Sequence, residues 1–100
     1  MYRILDDAAR DIEETFVWYE QQQPGLGVRF LAELERVWEI IDEYPALYAM
    51  IYKTVRKAKP ATFPYQIYYF IKGEEQLVLA VLHERRKPSV WQNRFDDELQ

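Results

Sequence analysis

Residues 76–83, Gln-Leu-Val-Leu-Ala-Val-Leu-His, narrow the folds open to this chain more than any other segment. The run is too short for a typical helix and has no polar face. A strand of that kind sits inside a sheet covered on both sides. Lys72-Gly73-Glu74-Glu75 before it reads as a turn, and residues 63–71 before the turn are rich in aromatic and β-branched side chains, the composition of a second strong strand. Alternation puts Tyr65, Ile67 and Tyr69 on one face and Tyr68 with Phe70 on the other. Residues 54–62 read as a weaker third strand. Pro60 lacks an N–H, which suits an edge or a bulge. The short connections predict an antiparallel meander. Residues 1–5 form a short apolar run that predicts one more strand, and residues 46–53 show no period and read as loop.

The first half of the chain has the other periodicity. Ala8, Ala9, Ile12, Phe16 and Tyr19 recur at threes and fours, predicting a helix over 7–22 with Asp6-Asp7 as its N-cap and Arg10, Asp11, Glu13, Glu14 and Glu20 on its wet face. Gln23-Pro24-Gly25-Leu26-Gly27 ends it. Phe30, Leu31, Leu34, Val37, Trp38 and Ile41 then predict a second helix over 26–43, stopped at Tyr44-Pro45. Two amphipathic helices joined by so short a turn pack as an antiparallel hairpin. The expected core is Ile12, Phe16, Phe30, Leu34, Val37, Ile41, Ile67, Val78 and Val81. Ser89–Phe95 is expected to form a short helical turn. The fold class is α+β, a single domain over 1–100.

Composition removes several chemistries. There is no cysteine and a single histidine, so neither a disulfide framework nor a thiolate or His-rich metal site fits, and no metal or other cofactor is expected. Three glycines leave no room for a glycine-rich phosphate loop. No apolar run approaches membrane-spanning length and residues 1–7 lack a signal-type apolar stretch, so a cytoplasmic domain without membrane contact is expected. The net charge of −4 is unevenly laid out. Residues 1–50 carry four Arg/Lys against eleven Asp/Glu, whereas residues 53–94 carry nine against three. Bulk coating of nucleic acid is disfavoured; a local anion site in the second half is not.

The order of parts resembles a known family. A helical hairpin broken at Gln-Gln-Pro-Gly-Leu-Gly is followed by Arg-Phe-Leu, Val-Arg, Phe-Pro-Tyr-Gln-Ile-Tyr-Tyr and Val-Leu-His-Glu-Arg-Arg-Lys-Pro, with Trp91 three residues beyond. This is similar to the RelE/ParE superfamily, the toxin halves of bacterial type II toxin–antitoxin modules (the plasmid-stabilisation family), from about Ala8 to Trp91. The resemblance implies a two-helix hairpin packed on a small curved antiparallel sheet and a cognate ParD- or RelB-like antitoxin. It leaves the target open. ParE-like members inhibit DNA gyrase; RelE-like members cleave mRNA on the ribosome; a non-toxic, antitoxin-binding member is a third reading. The chain departs from the common pattern in its short first strand, in Lys59-Pro60-Ala61-Thr62, and in its acidic total charge, which ribosome-dependent members do not share.

Metal-independent RNA cleavage needs a base for the 2′-OH, cations for the phosphorane and an acid for the leaving oxygen. The candidates are Arg56, His83, Arg85 and Arg86, with Lys57 and Lys59 nearby in sequence. Alternation sets Arg56 on one face of its strand and Lys57 with Lys59 on the other. After the last strand stand only Trp91, no tyrosine and no second histidine, so the set is incomplete. Against these roles, His83 reads as bonded to a backbone group or packed under a loop, Arg56 as paired to the acidic hairpin, Arg85-Arg86-Lys87 as a solvated turn, and Trp91 as a lid packed with Phe95. A binding module needs less: Tyr48, Tyr52, Lys53, Lys57, Lys59, Arg85, Arg86 and Trp91 form the expected partner-contacting set, with an antitoxin segment in the groove between hairpin and sheet.

Overall fold

In the computed structural model, which describes residues 1–99, the order is β1 (Tyr2–Ile4), α1 (Asp6–Gln22), α2 (Leu26–Glu43), β2 (Met50–Tyr52), β3 (Val55–Ala58), β4 (Tyr65–Lys72), β5 (Glu75–His83) and α3 (Pro88–Glu98). The sheet runs β1-β5-β4-β3-β2. The α+β class and the hairpin agree with the sequence, and the meander β2 to β5 is antiparallel throughout. Two details differ from expectation. The first strand pairs parallel to β5, Tyr2 opposite Gln76 and Ile4 opposite Val78, so the sheet is mixed. Residues 46–53 are not all loop: Met50–Tyr52 returns against β3 as the edge strand, around a tight turn with Lys53 at φ 51°.

The N-terminal cap also differs. Leu5 is the N-cap of α1 and makes no side-chain cap bond, while Asp6 and Asp7 lie within the first turn, where negative charge offsets the helix dipole. The start of α2 is capped from a distance. Gly25, at φ 91°, has no side chain to offer, and the Glu20 carboxylate of α1 accepts the N–H groups of Gly25 and Val28, each at 3.1 Å. These bonds hold the Glu20 carboxyl below its ordinary pKa. The two helices approach closely at Gly27, where a β-carbon would stand 2.7 Å from the Phe16 carbonyl oxygen and 2.8 Å from the Phe16 ring.

Each face of the sheet has its own core. The hairpin side holds Ala8, Tyr19, Phe30, Leu34, Val37, Trp38 and Ile41 against Ile67, Tyr69, Val78 and Val81. Tyr19, Phe30, Phe63 and Tyr65 interlock edge to face or tilted there, with centroids 4.9–6.0 Å apart. Ile12 and Phe16, expected in the core, are only partly buried: Ile12 packs against the hairpin-side core, and Phe16 is turned to the side of the buried stripe, against Gly27 of α2. The other side is covered by α3, an eleven-residue helix where a turn was expected. Its Trp91 stacks on Tyr68 at 4.5 Å and its Phe95 packs on Phe70 at 5.1 Å. β5 is therefore apolar on both faces because both faces are covered.

Alternation fails once within β5. Tyr68 pairs with Ala80 but Tyr69 pairs with Val78, so Leu79 is an extra residue. The bulge sends Leu79 and Ala80 to the α3 side together and returns Val81 to the hairpin side, the face already taken by Val78. His83, two residues beyond Val81, reaches that face as well and meets the Tyr65 ring at 5.4 Å.

Candidate functional site

The bulge leaves β5 with unpaired backbone on the side that β1 covers only as far as Val78, and side chains complete that edge. Asp11 of α1 accepts the Val81 N–H at 3.0 Å. Arg94 of α3 donates to the Leu79 carbonyl at 3.3 Å and grips Asp11 through both terminal nitrogens, at 2.6 and 3.1 Å. Both side chains are mostly shielded, 11% exposed for Asp11 and 19% for Arg94. Hydrogen bonding to Asp11 raises the Arg94 pKa further above its already high value. The helical period puts Asp11 on the wet face of α1 and gives Arg94 no role; an acid and a base so far apart in sequence give no local signal of their pairing.

The candidates of the sequence reading are dispersed by the fold. Arg56 is not paired to the acidic hairpin. Its guanidinium donates to the backbone carbonyls of Tyr48 at 2.5 Å and Ala46 at 3.3 Å. Its cross-strand neighbour Tyr69 donates to the Pro45 carbonyl at 2.7 Å, so one arginine and one tyrosine pin three carbonyls of the 45–48 loop. Burial raises the Tyr69 pKa, with Arg56 opposing it. Tyr48 packs edge-on against Tyr69 at 6.4 Å. Tyr52 belongs to the second core, with its hydroxyl on the Asp96 carboxylate. Lys53 bonds Asp96 at 2.8 Å, which raises the lysine pKa and lowers that of the acid. Trp91 is 5% exposed, a lid on Tyr68 and not a surface ring.

One end of the sheet gathers the rest: the C-terminal ends of β3 and β5 and the start of β4. Lys59 reaches Glu84 at 3.4 Å. The His83 Nδ1 accepts the Arg85 N–H at 3.1 Å, which fixes the ring and leaves Nε2 as the donor of the neutral form. Lys57, Arg85, Arg86 and Lys87 are exposed and without an ion-pair partner among the described residues. Lys57 stands opposite Tyr68 on the α3 face, whereas His83 lies on the hairpin face. On that face a groove of about 480 Å³ opens between Trp18, Tyr19, Pro64, Tyr65 and His83. A neighbouring cleft of about 220 Å³ adds Asp11, Glu14, Thr15 and Arg86. Trp18 borders both and is 53% exposed. Its signal in the sequence was a tryptophan off the apolar stripe of α1. No group of three or more His, Asp or Glu placed to hold a metal occurs among the described residues.

This geometry is a helical hairpin over a five-stranded sheet with a basic turn at the end of β5, and the comparisons with known proteins agree with it. Residues 2–88 match the family described as the ParE toxin of the type II toxin–antitoxin system parDE. The chain belongs to the ParE toxin family. It is thus a toxin of the type II toxin–antitoxin class. Among solved structures, a chain of the chromosomal ParDE system from P. aeruginosa is similar, with a TM-score of 0.73 and 15% identity, over 82% of this chain and 92% of that one. At that identity the likeness speaks for the fold. No curated protein matches the sequence. No helix among the described residues is long and apolar enough to cross a membrane.

Proposed function

We propose that this ParE-family toxin arrests growth by binding DNA gyrase, without cutting nucleic acid, and that a cognate antitoxin neutralises it by covering part of its surface. The observation that carries the mechanism is the dispersal of the acid–base candidates. Arg56 is spent on backbone carbonyls, Lys59 on Glu84, and Trp91 on the core. His83 and Lys57 lie on opposite faces of the sheet. RNA cleavage needs base, acid and cations around one phosphate, within hydrogen-bond reach. A binding toxin needs only a rigid surface with accessible charge, which Lys57, Arg85, Arg86 and Lys87 supply.

The groove at Trp18, Tyr65 and His83 supports antitoxin docking between hairpin and sheet. It is apolar in lining and open to solvent, and the neighbouring, more polar cleft adds Arg86, so the two together carry the aromatic and arginine side chains that dominate interface energetics. An amphipathic antitoxin segment would bury its apolar side chains there and set acidic ones against Arg86. The experiment is inhibition of purified gyrase supercoiling by the purified chain, with relief on adding the antitoxin, alongside a ribosome-dependent mRNA cleavage assay. Inhibition with intact mRNA is the expected result. Cleavage lost on replacing His83 or Arg85, with gyrase unaffected, overturns the reading.

A further inference from the structure

The outer edge of β2 pairs with no strand among the described residues, and the segment leading into it is uncharged and rich in exposed apolar side chains. Residues 44–52, Tyr-Pro-Ala-Leu-Tyr-Ala-Met-Ile-Tyr, contain no charge in a chain that is 30% charged. Tyr44, Leu47, Met50 and Ile51 are 58, 66, 55 and 42% exposed, and Ile40, one helical turn before Tyr44, is 37% exposed. β2 is the last strand of the sheet, so the backbone groups on its outer side have no strand partner. Sheets normally protect such an edge with charge or cover, because an uncovered apolar edge pairs with another chain.

We propose that this edge is a self-association surface, on which β2 pairs antiparallel with β2 of a second copy about a two-fold axis near Ile51. Three observations select a second copy. The segment carries no charge that would choose an oppositely charged partner, and a two-fold pair presents an identical apolar surface to itself. A register centred on Ile51 sets Met50 opposite Tyr52 and Lys53 opposite Ala49, so no charge faces a like charge, while Arg56 lies on β3, paired with Met50 on the inner side of β2. Lys53 is in any case engaged by Asp96. The exposed portions of the five side chains amount to roughly 500 Å² per copy, hence about 1,000 Å² for the pair, the lower end of specific interfaces. The surface is also pre-formed. Arg56 and Tyr69 hold the carbonyls of Pro45, Ala46 and Tyr48, so Leu47 stands out from a fixed backbone and little ordering accompanies binding. An interface of this size predicts a weak, reversible dimer.

The chain has no cysteine, which makes the register directly testable. In an antiparallel pair centred on residue 51 the two facing side chains come within disulfide range. Under mild oxidation Ile51→Cys is expected to give a disulfide-linked dimer, while Val28→Cys on α2, at a position more exposed than Ile51 (58% against 42%), stays monomeric. Sedimentation of the isolated wild-type chain is expected to shift from protomer mass to twice that mass as concentration rises. Ile51→Lys, and separately Leu47→Glu, are expected to raise the dimer dissociation constant at least about tenfold with unchanged melting. Added salt leaves the association largely unchanged, since residues 44–52 carry no charge. A wild-type chain that stays monomeric at every concentration overturns the proposal, as does cross-linking at position 51 no faster than at 28. A monomeric wild type whose Ile51→Lys variant instead loses antitoxin binding assigns the edge to the antitoxin and also overturns it.

Discussion

Asp11 holds three parts of the molecule at one carboxylate: its own helix α1, the Val81 N–H of β5 and the Arg94 guanidinium of α3. Removing one partner of a shielded pair leaves the other charge without compensation. Asp11→Asn is therefore expected to destabilise the fold by about 3 kcal/mol, and Arg94→Met by a similar amount. The double variant should lose less than the sum, and denaturant unfolding of all four proteins measures the coupling. Arg85 and Arg86 belong to the opposite case. They are exposed, unpaired among the described residues, and carried on a turn that the end of β5 holds rigid. Arg85→Ala and Arg86→Ala should change stability by less than about 0.5 kcal/mol while reducing toxicity on induced expression. Full toxicity in both, or loss only through unfolding, removes them from the functional surface.

At the scale of elements, the helical hairpin depends on one close approach. Gly27 lets α2 lie against the Phe16 carbonyl, and the atoms a methyl would strike include rigid backbone at 2.7 Å. Gly27→Ala gains helix propensity but must push the helices apart. It is expected to lose roughly 1–3 kcal/mol, an overpacking cost that exceeds the propensity gain. A melting temperature at or above wild type would show that the hairpin has slack. Gly25, with open space around its missing side chain, is constrained differently, by its positive φ and by the Glu20 cap on its N–H.

For the whole molecule, three carboxylates fasten separate elements. Glu20 joins α1 to the start of α2, Glu33 of α2 holds Thr62 in the β3–β4 connection, and Asp96 ties α3 to Lys53. Backbone bonding lowers the Glu20 pKa and the Lys53 hydrogen bond lowers that of Asp96. At Glu33 burial pulls upward, but the bonds from Thr62 win and the value falls. A lowered native pKa stabilises the fold above the unfolded carboxylate range, near pH 4, and the contribution is lost as pH falls through the native values. Melting temperature should therefore hold from neutral pH to about pH 5 and drop below pH 4. Glu20→Gln and Glu33→Gln should each flatten that drop, since the titrating group is gone. An acid limb unchanged in both variants would place the linkage elsewhere.

Much of this architecture is local, and local patterns are written in the sequence. The stripe at Phe30, Leu34, Val37 and Ile41 gives α2 its buried face directly, the break at Pro24-Gly25 gives the hairpin, and the two-sided apolarity of residues 76–83 announces a strand with cover on both sides. The order of these parts was enough to suggest the family. The sheet edges and the surface were not legible. β1 chooses β5 as a parallel partner, and β2 forms at all, only because the rest of the sheet is already there to bond them. The Leu79 bulge turns His83 toward the hairpin, reversing what strict alternation from Val78 would give. Arg56 faces carbonyls instead of carboxylates, and Trp91 faces Tyr68 instead of solvent, because the loop at 45–48 and helix α3 arrive from distant parts of the chain. Periodicity records which residues leave water. Which polar group each charged side chain finds is set by the three-dimensional meeting of segments that share no neighbourhood in sequence, and that alone decided which arginines remain free to act.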